Sequence, residues 1–176
     1  MNKRNFYIGT AIAILIIGIA LSFTVGQYYD SPEAVVLHLE RAHHPKIINT
    51  AWSGKGNPIV FFSSDKHGVY AMVFKKTTIG KKCGWAFRRG TYYTLTDIIA
   101  NNRRADTPLG TVAWRKLEDG DCIYWGVSMD RSIYNYTINL KEPITQIVTI
   151  DNREFILWYI FENHSSRKEP ITRPKP

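Results

Sequence analysis

The chain has 176 residues, of which 44% are hydrophobic and 13% are aromatic. This length excludes a large multidomain enzyme, and this composition excludes a mainly disordered chain, because enough apolar residues are present to form a packed core. The formal net charge of +8 favours anionic partners.

An uncharged run of 20 residues, 6–25, reads FYIGTAIAILIIGIALSFTV. About 20 apolar residues cross the hydrocarbon core of a bilayer as a helix, so this run predicts a transmembrane anchor. A cleaved signal peptide is the alternative, with residues 20–22 as the cleavage site, although the apolar region of such a peptide is usually shorter. Lys3 and Arg4 precede the run and no base follows it directly, so we expect residues 1–5 to be cytoplasmic and the remainder to lie outside the cell membrane.

A helix is predicted to begin after Asp30. Ser31 can cap it, Pro32 suits its first turn, and Glu33 complements its dipole. The apolar periodicity predicts one amphipathic helix that ends near His44.

The rest of the chain is predicted to form mainly strands. Turn signals stand at Arg89-Gly90, at Asp119-Gly120, which is the sharpest hairpin signal, and at residues 151–153. No helices alternate with the strands, so the pattern favours an α+β fold that is mainly β over a parallel α/β fold. After the transmembrane helix and the amphipathic helix, about nine antiparallel strands are expected, at 58–63, 69–75, 82–88, 91–96, 111–118, 121–128, 133–139, 144–150 and 154–162, with a helical turn at 97–102.

The polar stretch 101–108 predicts a seam between two regions. Residues 31–104 would contain the helix and four strands, and residues 108–163 would form a second β region packed on the first. The Pro-rich end, 168–176, is expected to be a flexible tail.

Basic residues are concentrated in one stretch of 30 residues, where Asp97 is the only acid. An anionic polymer or lipid surface would bind such a stretch, whereas ordinary solubilising charges at strand ends are the alternative interpretation. The candidate polyanion-binding residues are Lys75, Lys76, Lys81, Lys82, Arg88, Arg89, Arg103 and Arg104.

Cys83 and Cys122 are the only two cysteines. A location outside the membrane permits a disulfide between them, and two buried thiols are the alternative. The chain has no CxxC motif, so neither zinc-ribbon nor thioredoxin chemistry is indicated.

No motif predicts a catalytic residue, a metal site or a cofactor. Ser63 and Lys66 have the spacing of the S-x-x-K nucleophile motif, but that chemistry requires the serine to open a helix, and here it follows a predicted strand. Residues 54–56, GKG, lack the spacing of a phosphate-binding loop.

The layout resembles that of small, mostly uncharacterised membrane-anchored proteins of endospore-forming Gram-positive bacteria. The residues that carry the resemblance are SPEA at 31–34, PIVFF at 58–62, YWGV at 124–127 and FILWY at 155–159. The resemblance implies a bacterial surface location and a non-enzymatic role, and it implies no particular ligand.

The leading interpretation is therefore a single-pass membrane protein with an extracytoplasmic binding or accessory module. Its expected partners are anionic envelope polymers, lipids or a partner membrane protein, and nucleic acid is not expected in that compartment. The alternative is a small cell-envelope hydrolase whose catalytic residues form no recognisable motif.

Overall fold

The computed structural model describes residues 29–64, 68–79, 82–117, 120–163 and 170–175. These residues form two α-helices, two short 3-10 helices and ten strands. The helices are α1 (Pro32–Leu39) and α2 (Leu95–Arg104), and the 3-10 helices are Arg41–His43 and Arg131–Asn135. The strands are β1 (Lys46–Trp52), β2 (Pro58–Ser64), β3 (Gly68–Ile79), β4 (Lys82–Thr94), β5 (Ala113–Lys116), β6 (Asp121–Ser128), β7 (Tyr136–Ile138), β8 (Ile144–Ile150), β9 (Arg153–Asn163) and β10 (Thr172–Pro174).

The strands form three antiparallel sheets. Sheet A has the order β1-β2-β3-β4, sheet B has the order β5-β6-β9-β8, and β7 pairs with β10 in a small third sheet. The predicted α+β fold that is mainly β, with antiparallel strands, is confirmed.

The main core lies between sheets A and B. Phe61 of sheet A contacts Trp125 and Tyr159 of sheet B, with ring centroids 5.5 Å and 5.3 Å apart. The side chain of Asn49 donates a hydrogen bond to the Tyr159 hydroxyl at 3.1 Å. The two sheets therefore share one core, to which each contributes alternate residues of its strands.

Each sheet is also covered on its outer face. Val35 and Val36 of α1 pack against the outer face of sheet A, where they bury Phe62 and Phe74. The outer face of sheet B carries a separate cluster of buried residues. They are Leu109, Cys122, Tyr124, Ile133, Ile138, Ile156, Trp158 and Ile160.

The helix starts follow from capping side chains. The Ser31 hydroxyl accepts a hydrogen bond from the Ala34 N–H at 3.2 Å, as the sequence predicts for α1. At α2, Thr94 and Asp97 form a reciprocal capping box. Instead of the helical turn expected at 97–102, the structure thus has a full second helix.

Two of the predicted hairpin turns are confirmed. Gly120 has a φ of 90° in the turn between β5 and β6. Asp151 and Asn152 have φ angles of 50° and 59° and join β8 to β9 as a two-residue loop. Two successive residues with positive φ match the right-handed twist of the flanking strands.

Other local predictions are also wrong. Arg89 and Gly90 are not a turn but lie inside β4, which pairs with β3 on both sides of them. The sequence predicts no strand at 46–52, where the structure has β1. Part of the tail predicted to be flexible is ordered, because Thr172–Pro174 pairs with β7.

The predicted anchor at 6–25 and the cytoplasmic segment 1–5 lie outside the described residues. Within the ranges that the structure describes, no helix combines the length and the apolar character of a membrane span. The anchor therefore stays a prediction.

Candidate functional site

A cleft of about 240 Å³ lies where β3 and β4 of sheet A meet β5 of sheet B. We call it the basic cleft. Its lining residues are Asn57, Val73, Phe74, Lys75, Arg88, Arg115, Lys116 and Leu117. It thus combines residues from strands that are distant in the sequence.

A β-bulge positions Arg88 in the basic cleft. The register pairs Val73 with Arg89 and Phe74 with Phe87, so Arg88 is the extra residue on β4. A bulge re-aims the side chains around it and bends the strand. Lys75 of β3 lies close to the bulge and also lines the cleft.

The side chain of Arg115 joins the two sheets beside the cleft. Its Nε atom donates a hydrogen bond to the Thr91 hydroxyl at 2.9 Å, and Arg115 is half-buried. The Lys75, Arg88 and Lys116 side chains are exposed. The Arg115 guanidinium is therefore tied to sheet A by this hydrogen bond, and the other three basic side chains of the cleft reach the solvent.

The charge of Arg115 also acts on Tyr93. Burial raises the pKa of Tyr93 to about 12, while the Arg115 cation opposes this rise and the Asp97 carboxylate adds to it. The burial has a visible cause, because Tyr93 packs against Trp125 in the core, with ring centroids 5.2 Å apart.

The cleft has the chemistry of an anion site with an apolar part. Four of its described lining residues are basic and none is acidic, and Val73 and Leu117 contribute apolar surface. Guanidinium and ammonium groups bind phosphate and carboxylate oxygens through charge-assisted hydrogen bonds. The volume is slightly below the range of roughly 300–1,000 Å³ that is typical of small-molecule sites, so the cleft suits a single small anionic group or one unit of a polymer.

The structure brings only some of the predicted polyanion residues together. Lys75 and Arg88 line the basic cleft. Arg103 and Arg104 lie exposed in the last turn of α2, where their charges complement the helix dipole. Of the remaining candidates, Lys76 is exposed on β3 and follows Lys75 directly. Lys82 and Arg89 belong to β4, and their side chains are not described. Lys81 lies outside the described residues.

The sequence interpretation missed Arg115 and Lys116. They form a basic doublet like Lys75-Lys76 and Arg88-Arg89, but they lie outside the stretch of concentrated charge. Only the packing of β5 against sheet A brings them to Lys75 and Arg88, and no local pattern predicts that packing.

Cys122 is fully buried on the outer face of sheet B, whereas sheet A covers the inner face. The register places Cys83 opposite Thr78 near the end of the β3–β4 hairpin, and its side chain is not described. The disulfide between the two cysteines stays a prediction.

Little among the described residues supports a catalytic site or a metal site. Ser63 lies in β2 and does not open a helix, and Lys66 lies outside the described residues. Among the described His, Cys, Asp and Glu residues, no group of three or more is arranged to hold a metal ion.

Comparison with known proteins found no matching family model, no matching curated protein and no matching solved structure. The resemblance to membrane-anchored proteins of endospore-forming bacteria therefore stays a prediction.

Proposed function

We propose that this chain is a single-pass membrane protein whose extracytoplasmic domain is a non-enzymatic binding module for phosphodiester-bearing ligands. The observation that carries the proposal is the convergence of Lys75, Arg88, Arg115 and Lys116 on one cleft. The location outside the cell membrane rests on the apolar run 6–25 and the bases that precede it.

The chemistry of the cleft favours a phosphodiester over a purely apolar ligand. Two guanidinium groups can each donate two hydrogen bonds to phosphate oxygens, and the lysines add charge. The apolar lining would contact the carbon atoms between successive phosphates. Anionic wall polymers and anionic lipid headgroups both offer this chemistry in the compartment expected for the domain.

The test measures ligand binding to the full chain in neutral detergent micelles. One arm uses a soluble glycerol phosphate oligomer, and a second uses vesicles of phosphatidylglycerol with phosphatidylcholine vesicles for comparison. The test variant carries Arg88→Gln and Arg115→Gln. The control variant carries Arg103→Gln and Arg104→Gln, which removes the same charge from the end of α2.

We expect the wild type to bind the oligomer and to bind it less tightly as salt rises. Each lost charge-assisted hydrogen bond should weaken binding by about tenfold, so the cleft variant should lose about a hundredfold and the control variant little. Binding to the vesicles alone would assign the lipid as the ligand. Equal loss in both variants, or no salt-sensitive binding, would contradict the proposal and leave a partner membrane protein as the candidate.

A further inference from the structure

The described chain begins next to an aromatic cluster on sheet A. Tyr29 forms an isolated antiparallel bridge with Trp85 of β4, and its ring centroid lies 5.1 Å from that of His38. Tyr29 is four residues after Val25, the last residue of the predicted anchor. At roughly 3.5 Å per residue, four residues span at most ~14 Å, so Trp85 must lie close to the membrane boundary if the anchor is inserted.

Trp85 is part of an aromatic pair at this place. Its ring makes an edge contact with the ring of Trp52, with centroids 5.5 Å apart, and Trp52 is 49% exposed. A half-exposed indole is costly in bulk water, but it is favourable at the level of lipid headgroups, where its apolar body and its N–H both find suitable surroundings.

A base lies on the same face as this pair. Lys76 is the register partner of Trp85, and residues directly opposite each other in an antiparallel pair project from the same face. Lys76 is exposed. An amine beside interfacial tryptophans complements an anionic headgroup layer.

We propose that Tyr29, Trp52, Lys76 and Trp85 form a membrane-contact face through which the domain rests on the anionic bilayer that holds its own anchor. This inference rests on the anchor in the proposed function. The tether favours the bilayer over a diffusing partner, because only three residues separate the predicted anchor from Tyr29 and would keep the face beside the lipid at a high effective concentration.

The membrane-contact face and the basic cleft use opposite faces of one strand. Lys75 lines the cleft, and Lys76, the next residue along β3, lies beside Trp85. Successive side chains of a strand point to opposite faces. The cleft therefore stays accessible to a ligand while the domain rests on the bilayer.

Tryptophan fluorescence tests the proposal on the full chain. All five tryptophans lie after the predicted anchor, and two of them are in the membrane-contact face. The chain is inserted into vesicles of phosphatidylglycerol and phosphatidylcholine, with and without bromine on the acyl chains near the headgroups. Bromine quenches only indoles that reach the lipid.

We expect brominated lipid to lower the emission by up to about two fifths, since two of the five tryptophans are exposed to it. Trp52→Phe should remove about half of this decrease, and Lys76→Glu should reduce it further in anionic vesicles. Trp114→Phe is the matched control: Trp114 packs against the cluster on the outer face of sheet B, so its loss lowers the total emission but should leave the emission lost to brominated lipid unchanged.

The possible failures are distinguishable. Stable insertion without quenching, or quenching that is unchanged by Trp52→Phe, would overturn the membrane-contact face and leave the anchor and the cleft standing. Release of the chain from vesicles at high salt would contradict the anchor and, with it, the face. Aqueous iodide quenches indoles that are exposed to water and so reports whether Trp52 is shielded. If Trp52 becomes shielded as the protein concentration rises, with or without lipid, a second copy of the chain covers the face, and the proposal is overturned.

Discussion

Replacing Gly126 with alanine should destabilise the centre of sheet B. Gly126 lies in β6 opposite Trp158, and the segment around Thr111 crosses directly over it. A Cβ atom at this position would overlap the carbonyl oxygen of Thr111. It would also lie 2.8 Å from the Thr111 carbonyl carbon and 2.8 Å from Cζ2 of Trp158, whereas ordinary contact begins at 3.4 Å.

The neighbours of Gly126 cannot move without losing buried hydrogen bonds. The Thr111 N–H donates to the Val127 carbonyl at 3.1 Å, and the Val127 N–H donates to the Thr111 hydroxyl at 2.8 Å. Thr111 is only 1% exposed, so water cannot replace these bonds. Overpacking costs about 1–3 kcal/mol. Each weakened hydrogen bond adds about 1 kcal/mol. With two such hydrogen bonds, we therefore expect the free energy of unfolding to fall by about 3–5 kcal/mol.

Thermal unfolding of the full chain in neutral micelles, followed by far-UV circular dichroism, measures this effect. A loss of this size should lower the melting temperature by about 10 °C. Gly54→Ala is the control, because a Cβ there meets its nearest atom at an ordinary 3.7 Å. If Gly126→Ala melts within about 2 °C of Gly54→Ala, the close approach of Thr111 to β6 is refuted.

Three further predictions concern Tyr93, Glu33 and the two cysteines. The pKa of Tyr93 is raised to about 12, so the folded protein keeps a proton that the unfolded chain releases near pH 10. Stability should therefore fall as the pH rises from about 10 to about 12. Tyr93→Phe should remove part of that fall. Burial alone would raise the pKa of Glu33, but hydrogen bonds, the largest from the Thr50 hydroxyl, lower it below its ordinary 4.5. The stabilisation is complete above that value and is lost as pH falls toward the lowered pKa, so acid titration should destabilise the wild type more than Glu33→Gln. A disulfide between Cys83 and Cys122 predicts that the unfolded, unreduced chain resists alkylation, and modification of both cysteines would reject it.

The parts of the fold that sequence predicts well depend on local chemistry. Asp151 and Asn152 adopt positive φ at low cost, and their position between two apolar runs indicates a hairpin. The Ser31 hydroxyl satisfies one of the free N–H groups in the first turn of α1, so that helix start is visible within four residues. Such signals need no knowledge of the rest of the chain.

The errors arise where tertiary contacts override local signals. Gly90 resembles a turn residue, but β3 pairs with β4 on both sides of it and keeps the strand continuous. The tail around Thr172 is polar and Pro-rich, yet it forms a strand that pairs with β7. The basic cleft is the clearest case, because Arg88 and Arg115 meet only after two sheets pack face to face.

Lysine acetylation of the full chain, with and without the glycerol phosphate oligomer, tests the basic cleft most directly. Lys75 and Lys116 line the cleft, whereas Lys76 is an exposed neighbour that does not line it. Mass spectrometry would report the acetylation rate of each lysine in neutral micelles. The cleft predicts that saturating oligomer slows acetylation of Lys75 and Lys116 severalfold and leaves Lys76 unchanged. Equal protection of all three lysines, or protection of none, would contradict a defined site and reduce the basic residues to a solvated surface.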